Sequence, residues 1–305
     1  MSTRATRDEV DKWCELPLIP WKDTCATLHM WMQIVGKVRL ALSSRMNHWW
    51  QVPLYVNAIG LTTSPIPYRG GIFEIQFDFI RHYLLIQTGN GGDKMLPLRP
   101  RSVAEFYRDF MAILASLGIE VKIWKMPVEV ADPVPFDQDT QHASYDAEYA
   151  NRFWQVLTNC DAVFKEFRAR FIGKSSPSHF FWGSFDLAVT RFSGRRAPDR
   201  PDADAITREA YSHEVISSGW WPGGGSISGP AFYTYAVPEP PGFAQYRARP
   251  ESAFYHPDLK EFLLMYNDVR QSPSPRVTLL DFLQSTYSAG ADLGKWDRKD
   301  LEKPV

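Results

Sequence analysis

The chain has 305 residues, with 34 basic and 35 acidic side chains and a formal net charge of −1. That balance gives no electrostatic reason to expect nucleic acid or an anionic membrane as a partner. No run of about 18 apolar residues could span a bilayer, and the N-terminus, MSTRATRDEVDKW, lacks the apolar core of a secretory signal. The three cysteines, Cys14, Cys25 and Cys160, form no CxxC and no paired framework. A reducing, cytoplasmic setting is therefore expected. The length suffices for one soluble compact domain over 1–305 without covalent staples.

Residues 1–22 read as a charged start followed by an extended segment, ELPLIPW. Over 26–43, Leu28, Met32, Val35, Val38 and Leu42 step by three and four, which predicts a helix with one apolar face. His29, Gln33 and Lys37 form a polar stripe on another side, read as the solvated one. Residues 47–63 follow as a strand, and TSPIPYRGG marks a turn. Phe73, Ile75, Phe77 and Phe79 alternate with Glu74, Gln76 and Asp78, the pattern of a half-buried antiparallel strand. Residues 82–88 and a short run to Leu98 complete this set around the turn GNGGD. Ser102 and Glu105 make a capping box for a helix over 103–117, which Gly118 stops. Residues 121–130 read as a strand leading into the loop ADPVPFDQDTQ.

Ser144 can cap a second long helix with Asp146 and Glu148 in its first turn. Its buried stripe is Phe153, Leu157, Cys160, Phe164, Phe167 and Phe171. Residues 178–196, SHFFWGSFDLAVTRFSGRR, then read as one long strand with two faces. His179, Phe181, Gly183, Phe185, Leu187, Val189 and Arg191 form the core face; Phe180, Trp182, Ser184, Asp186, Ala188 and Thr190 form the other. The second face mixes aromatic walls with placed polar groups, as a ligand pocket does. After a charged loop, 209–218 and 231–238 read as further strands joined by WWPGGGSISGP. Pro257 opens a helix to about Val269, and Thr278 with Asp281 opens a last one to about Ala289.

The resulting expectation is an α+β fold whose antiparallel sheet is built from two pseudo-repeated helix–strands–helix halves, about 23–130 and 140–292. In that alignment His48 meets His179, Leu54 meets Phe185 and Val56 meets Leu187. The second copy alone carries a carboxylate on the mixed face, so the site is expected there.

For chemistry, His179 or His213 is the candidate acid/base and Asp186 its orienting carboxylate. Trp182, Ser184, Arg191, Arg195, His48, Tyr55, Glu214, His29 and His142 are candidate ligand contacts. Arg191 or Arg195 would hold an anionic group. A metal site could be assembled from His29, His48, His142, His179 and His213 with Glu214 or Asp186, but no HExxH or close Cys/His spacing supports one. Metal, cofactor and oligomeric state stay open. Neither WGSFD nor GGGSISG fits GxSxG, and PGGGSISG lacks the GK[ST] of a phosphate loop.

TLHMWMQIVGKVRLAL, NHWWQVPLYV, GLTTSPIPY, LPLRPRSVAEFY, HASYD and FKEFRARFIGKSSPSHFFWGSFDLAVTRFSGR, with REAYSHEV and FLQSTY, resemble a mostly bacterial domain-of-unknown-function family over nearly the whole chain. The resemblance implies membership and carries no reaction, cofactor or residue role with it. Three functions are weighed from the residues alone. The first is an enzyme acting on a small, aromatic or otherwise planar molecule in a His/Asp-lined, Trp-rich pocket. The second is a binding protein for such a ligand, and the third an interaction scaffold whose tryptophans are all core.

Overall fold

The computed structural model describes residues 13–303. Helix α1 (Leu18–Leu42) begins earlier than its apolar spacing suggests. Pro20 falls in its first turn, where a missing N–H breaks no hydrogen bond, so part of the ELPLIPW segment is helical. Residues 1–12 of the charged start lie outside the described residues. Six strands follow: β1 (Tyr55–Val56), β2 (Gly60–Thr62), β3 (Ile66–Tyr68), β4 (Gly71–Asp78), β5 (Tyr83–Thr88) and β6 (Asp93–Pro97). They form an antiparallel sheet in the order β1-β2-β4-β5-β6, with β3 also on β4. Ile75, Phe77, Leu84 and Ile86 point inward, and helix α2 (Val103–Ser116) brings Phe106, Phe110 and Leu114 into the same core. Trp31 of α1 stacks on Phe106 at 4.6 Å. The capping box is present in both directions between Ser102 and Glu105.

Helix α3 (Ala147–Ala169) is capped by Asp146, not Ser144; the Asp146 carboxylate accepts from the Tyr149 N–H at 3.1 Å. A second antiparallel sheet follows, from β7 (His179–Phe181), β8 (Asp186–Arg196), β9 (His213–Trp221), β10 (Ala231–Val237), β11 (Phe254–His256) and β12 (Glu261–Met265). A short helix, α4 (Ala205–Ala210), lies between β8 and β9. The strand order is β11-β12-β10-β9-β8-β7. Helices α5 (Tyr266–Arg270), α6 (Pro275–Leu293) and α7 (Arg298–Leu301) close the chain. One face of this sheet, with Phe180, Leu187, Val189, Ile216, Trp220, Phe232 and Leu264, is buried beneath α3 and α6.

The two sheets meet edge to edge. The Leu54 N–H donates to the Phe180 carbonyl at 2.8 Å, and the Phe180 N–H returns a bond to the Leu54 carbonyl at 2.7 Å. Both halves run helix, antiparallel strands, helix. The expected residue alignment does not hold locally: His48 lies in a single 3-10 turn, Asn47–Trp49, with φ of 57°, whereas His179 is in a strand. Three other expectations are corrected. Residues 121–130 pair with no strand and run as an irregular segment. Residues 254–265 form β11 and β12 rather than a helix from Pro257. Residues 178–196 are not one strand but a hairpin, and that change decides the site.

Candidate functional site

The hairpin turns at Trp182 to Phe185, with Phe185 at φ of 60°, and β7 folds back on β8. His179 lies opposite Ala188, Phe180 opposite Leu187, and Phe181 opposite Asp186. Directly paired residues share a face. The turn therefore moves His179 and Phe181 away from Leu187 and Val189 and onto the face of Asp186, Ala188, Thr190 and Phe192. The registers extend this face through Val215, Ser217 and Gly219 of β9, then Tyr233 and Tyr235 of β10. Since the long helices α3 and α6 cover the opposite face, this one is left to shorter segments.

Three segments roof it: the 3-10 turn with His48, Trp49 and Trp50, the irregular run at Val128 and Glu129, and α4 with Asp204 to Tyr211. Between roof and sheet lies a cavity of about 520 Å³. The stripe read as solvated on α1 anchors part of the roof. The Gln33 side chain exchanges two 2.8 Å bonds with Val128, donating to its carbonyl and accepting from its N–H, and Lys37 donates to the Met126 carbonyl at 2.7 Å. Both side chains are buried. Those bonds hold the Glu129 carboxylate against Gly183, where a Cβ would lie 2.5 Å from its Oε1.

Asp186 is the buried carboxylate of the cavity wall. Its Oδ1 accepts from Ser184 Oγ and its Oδ2 from the Tyr233 hydroxyl. Tyr233 reaches it by lying across Gly219 on the intervening strand; a Cβ there would fall 2.3 Å from the phenol. Burial raises the Asp186 pKa, opposed by the two hydroxyl bonds. Burial and then the charge of Asp186 raise Glu129 also, and lift Glu261 to about 7. Tyr233 and Tyr235 stack at 6.0 Å, and the Tyr211 and Tyr235 hydroxyls bond at 2.9 Å. Thr190 and Ser217 share a 2.9 Å bond on the cavity floor.

His179 borders the same cavity with neither ring nitrogen bonded to a protein group. Burial, helped by Arg39 and Arg168, lowers its pKa to about 3, so the imidazole is neutral near pH 7. Phe181 packs 4.7 Å from its ring, with Trp50 and Tyr55 each at 6.3 Å. His179 and Asp186 share the wall but do not touch: Asp186 is bound by hydroxyls, so the expected carboxylate–imidazole pair is absent. At the far end, His48 Nδ1 donates to the Ala210 carbonyl at 3.2 Å, leaving Nε2 to accept from Lys174 Nζ at 2.7 Å. The His213 ring meets that of His48 edge-on at 5.7 Å, at the rim rather than on the wall.

The other candidates lie elsewhere. Trp182, carried over by the turn, fills the space at Gly36 of α1 and donates to the Val52 carbonyl at 2.9 Å. Arg191 is buried on the helix side, bonded to the Phe167 carbonyl with its guanidinium 4.2 Å from the Tyr287 ring. It therefore does not line this cavity. Arg195 pairs with Glu214 at 2.6 Å on the surface, so neither faces the cavity. His29 donates to the Gly183 carbonyl at 2.8 Å, and His142 pairs with Asp139 at 2.7 Å, both away from the wall. Tyr55 stands behind His179 under the Arg39 guanidinium at 5.6 Å. The five histidines thus do not converge. Among the described residues, no group of three His, Cys, Asp or Glu could hold a metal ion. Glu129, Tyr211, Tyr233, Tyr235 and Trp50 were not among the sequence candidates. The alternation in Ala231–Val237 places both tyrosines on one strand face, which was the available signal.

Fold and site together define an α+β protein with a polar, aromatic cavity on the sheet face opposite the long helices α3 and α6. A family whose description reads "Family of unknown function (DUF5996)" matches residues 13–303, and the chain belongs to it. No curated protein and no solved structure matches the chain. Among the described residues no helix is long and apolar enough to cross a membrane.

Proposed function

We propose that the protein is an enzyme acting on a small, flat molecule in this cavity, with Asp186 exchanging a proton with the bound ligand. The observation that carries the reading is the wall itself. A buried carboxylate held by hydroxyls with no basic partner, and an imidazole without a protein partner, both border one aromatic-walled space. Raised proton affinity suits Asp186 to holding and releasing a proton as a general acid–base group. Tyr233 and Ser184 steady its two oxygens, and neutral His179 is buried in the wall beside it. A planar substrate would lie against the tyrosine rings.

A second reading, binding without turnover, is favoured by one feature: both Asp186 oxygens already have partners, as in a structural carboxylate. Asp186→Asn tests the site in either case. It keeps the shape and removes a charge that burial disfavours, so melting should stay level or rise at pH 7. Ligand affinity, for ligands found by thermal shift or by native mass spectrometry of freshly purified protein, should drop tenfold or more. A variant weakened by about 1–3 kcal/mol, the cost of a compromised buried hydrogen bond, with ligand binding intact, would reduce Asp186 to a structural part. Turnover lost while affinity persists would favour the enzyme over the binder.

A further inference from the structure

The described chain has four buried aspartates, and three have a basic partner. Asp78 pairs with Arg81 at 2.6 Å, Asp139 with His142 at 2.7 Å and Asp161 with Lys165 at 2.5 Å. Asp186 has hydroxyls alone. Two further carboxylates feel its charge: Glu129 in the roof, and Glu261, which follows on β12 beside Tyr235. Among the described residues neither carboxylate forms an ion pair with a Lys, Arg or His. Two carboxylates, Asp186 and Glu129, thus line one cavity without a bonded counter-cation, which is unfavourable unless they hold protons or a positive ligand.

We propose that the ligand is an organic monocation, bound as an ammonium group between Asp186 and Glu129 with its carbon skeleton on Tyr233 and Tyr235. This rests on the cavity being a ligand site, as argued above. Two independent features support it. The stacked tyrosine rings offer π faces of the kind that hold cations beside a carboxylate. His179, buried in the same wall, is neutral and so adds no opposing charge.

The far end of the cavity sets a limit on charge. Lys174 lies there, 5.0 Å from the Phe192 ring and bonded to His48. Asp186 and Phe192 are six strand residues apart, roughly 20 Å at about 3.3 Å per residue. A second positive group on the ligand would meet Lys174. The cavity thus favours one cation at the Asp186 end and a neutral or anionic group at the other.

Matched probes test this: sets of amine, alcohol and carboxylate on one carbon skeleton, led by 2-phenylethylamine, 2-phenylethanol and phenylacetate, together with 1,12-diaminododecane, a diamine long enough to bring its second ammonium to the Lys174 end. Thermal shift followed by calorimetry on the full chain should rank the ammonium probes at least tenfold above their alcohols, acids and the diamine. Asp186→Asn should cut ammonium affinity at least tenfold while changing alcohol affinity less than threefold. Glu129→Gln, in a roof segment rather than the sheet, should act in the same direction and guards against a folding defect in the first variant. Preferred binding of acids or alcohols, or a preference unchanged in both variants, overturns the cation and leaves the ligand site standing. Silence from every charge class would overturn both.

Discussion

At the scale of single residues, the site depends on a few side chains with altered proton affinity, and those have signed consequences. Glu261 titrates near 4.5 when unfolded and at about 7 when folded, chiefly from burial and then from Asp186. An acid raised by folding keeps its proton in the native state after the unfolded chain has lost it. Its contribution to stability is therefore present below about pH 4.5 and is lost as pH rises toward 7. Glu261→Gln removes that dependence. Relative to the parent, the variant should gain stability across this window and level off above it, by about 1–2 kcal/mol after allowance for its partial solvent access. Urea midpoints at pH 4.5, 6 and 7.5 measure it. A difference that is the same at all three would mean that Glu261 feels neither burial nor Asp186.

At the scale of elements, the sequence was legible where structure is local. The capping box at Ser102 and Glu105 formed as read, and so did the apolar stripe from Phe153 to Phe167, whose last expected member, Phe171, lies just past the helix end. The hairpin at 182–185 was not legible. WGSF has no Asn-Gly or Asp-Gly signal, and Phe185 rather than a glycine takes the positive φ. Reading through the turn put His179 on the wrong face while leaving Asp186 and Ser184 correctly together. Glu129 was invisible for another reason: what places it is bonding from Gln33 and Lys37, about ninety positions away. The turn also creates a close packing of indole on helix. Alanine at Gly36 would ordinarily favour α1 by about 1 kcal/mol. Here its Cβ would lie 2.2 Å from Trp182 Nε1, on a ring pinned by its bond to Val52. Overpacking costs about 1–3 kcal/mol and should win. Gly36→Ala is expected to lower the denaturation midpoint; equal or greater stability would show that Trp182 is free to move.

At the scale of the whole molecule, two sheets that would each end in an open strand end instead in each other. The reciprocal bonds of Leu54 and Phe180 join β1 to β7, and α1 of the first half reaches the hairpin of the second through His29 and Gly36. The outer edge at β6 begins with Asp93 and Lys94, charges that discourage pairing. No such protection exists at β1 or β7. Severing the chain between Asp132 and Pro133, in an exposed stretch, would leave each half with a bare edge and an uncovered apolar surface. Fragments 1–132 and 133–305 should accordingly aggregate when made separately and copurify as a soluble pair when made together. Two fragments that are each soluble and monomeric would refute this. Each half, in effect, serves as the other's chaperone.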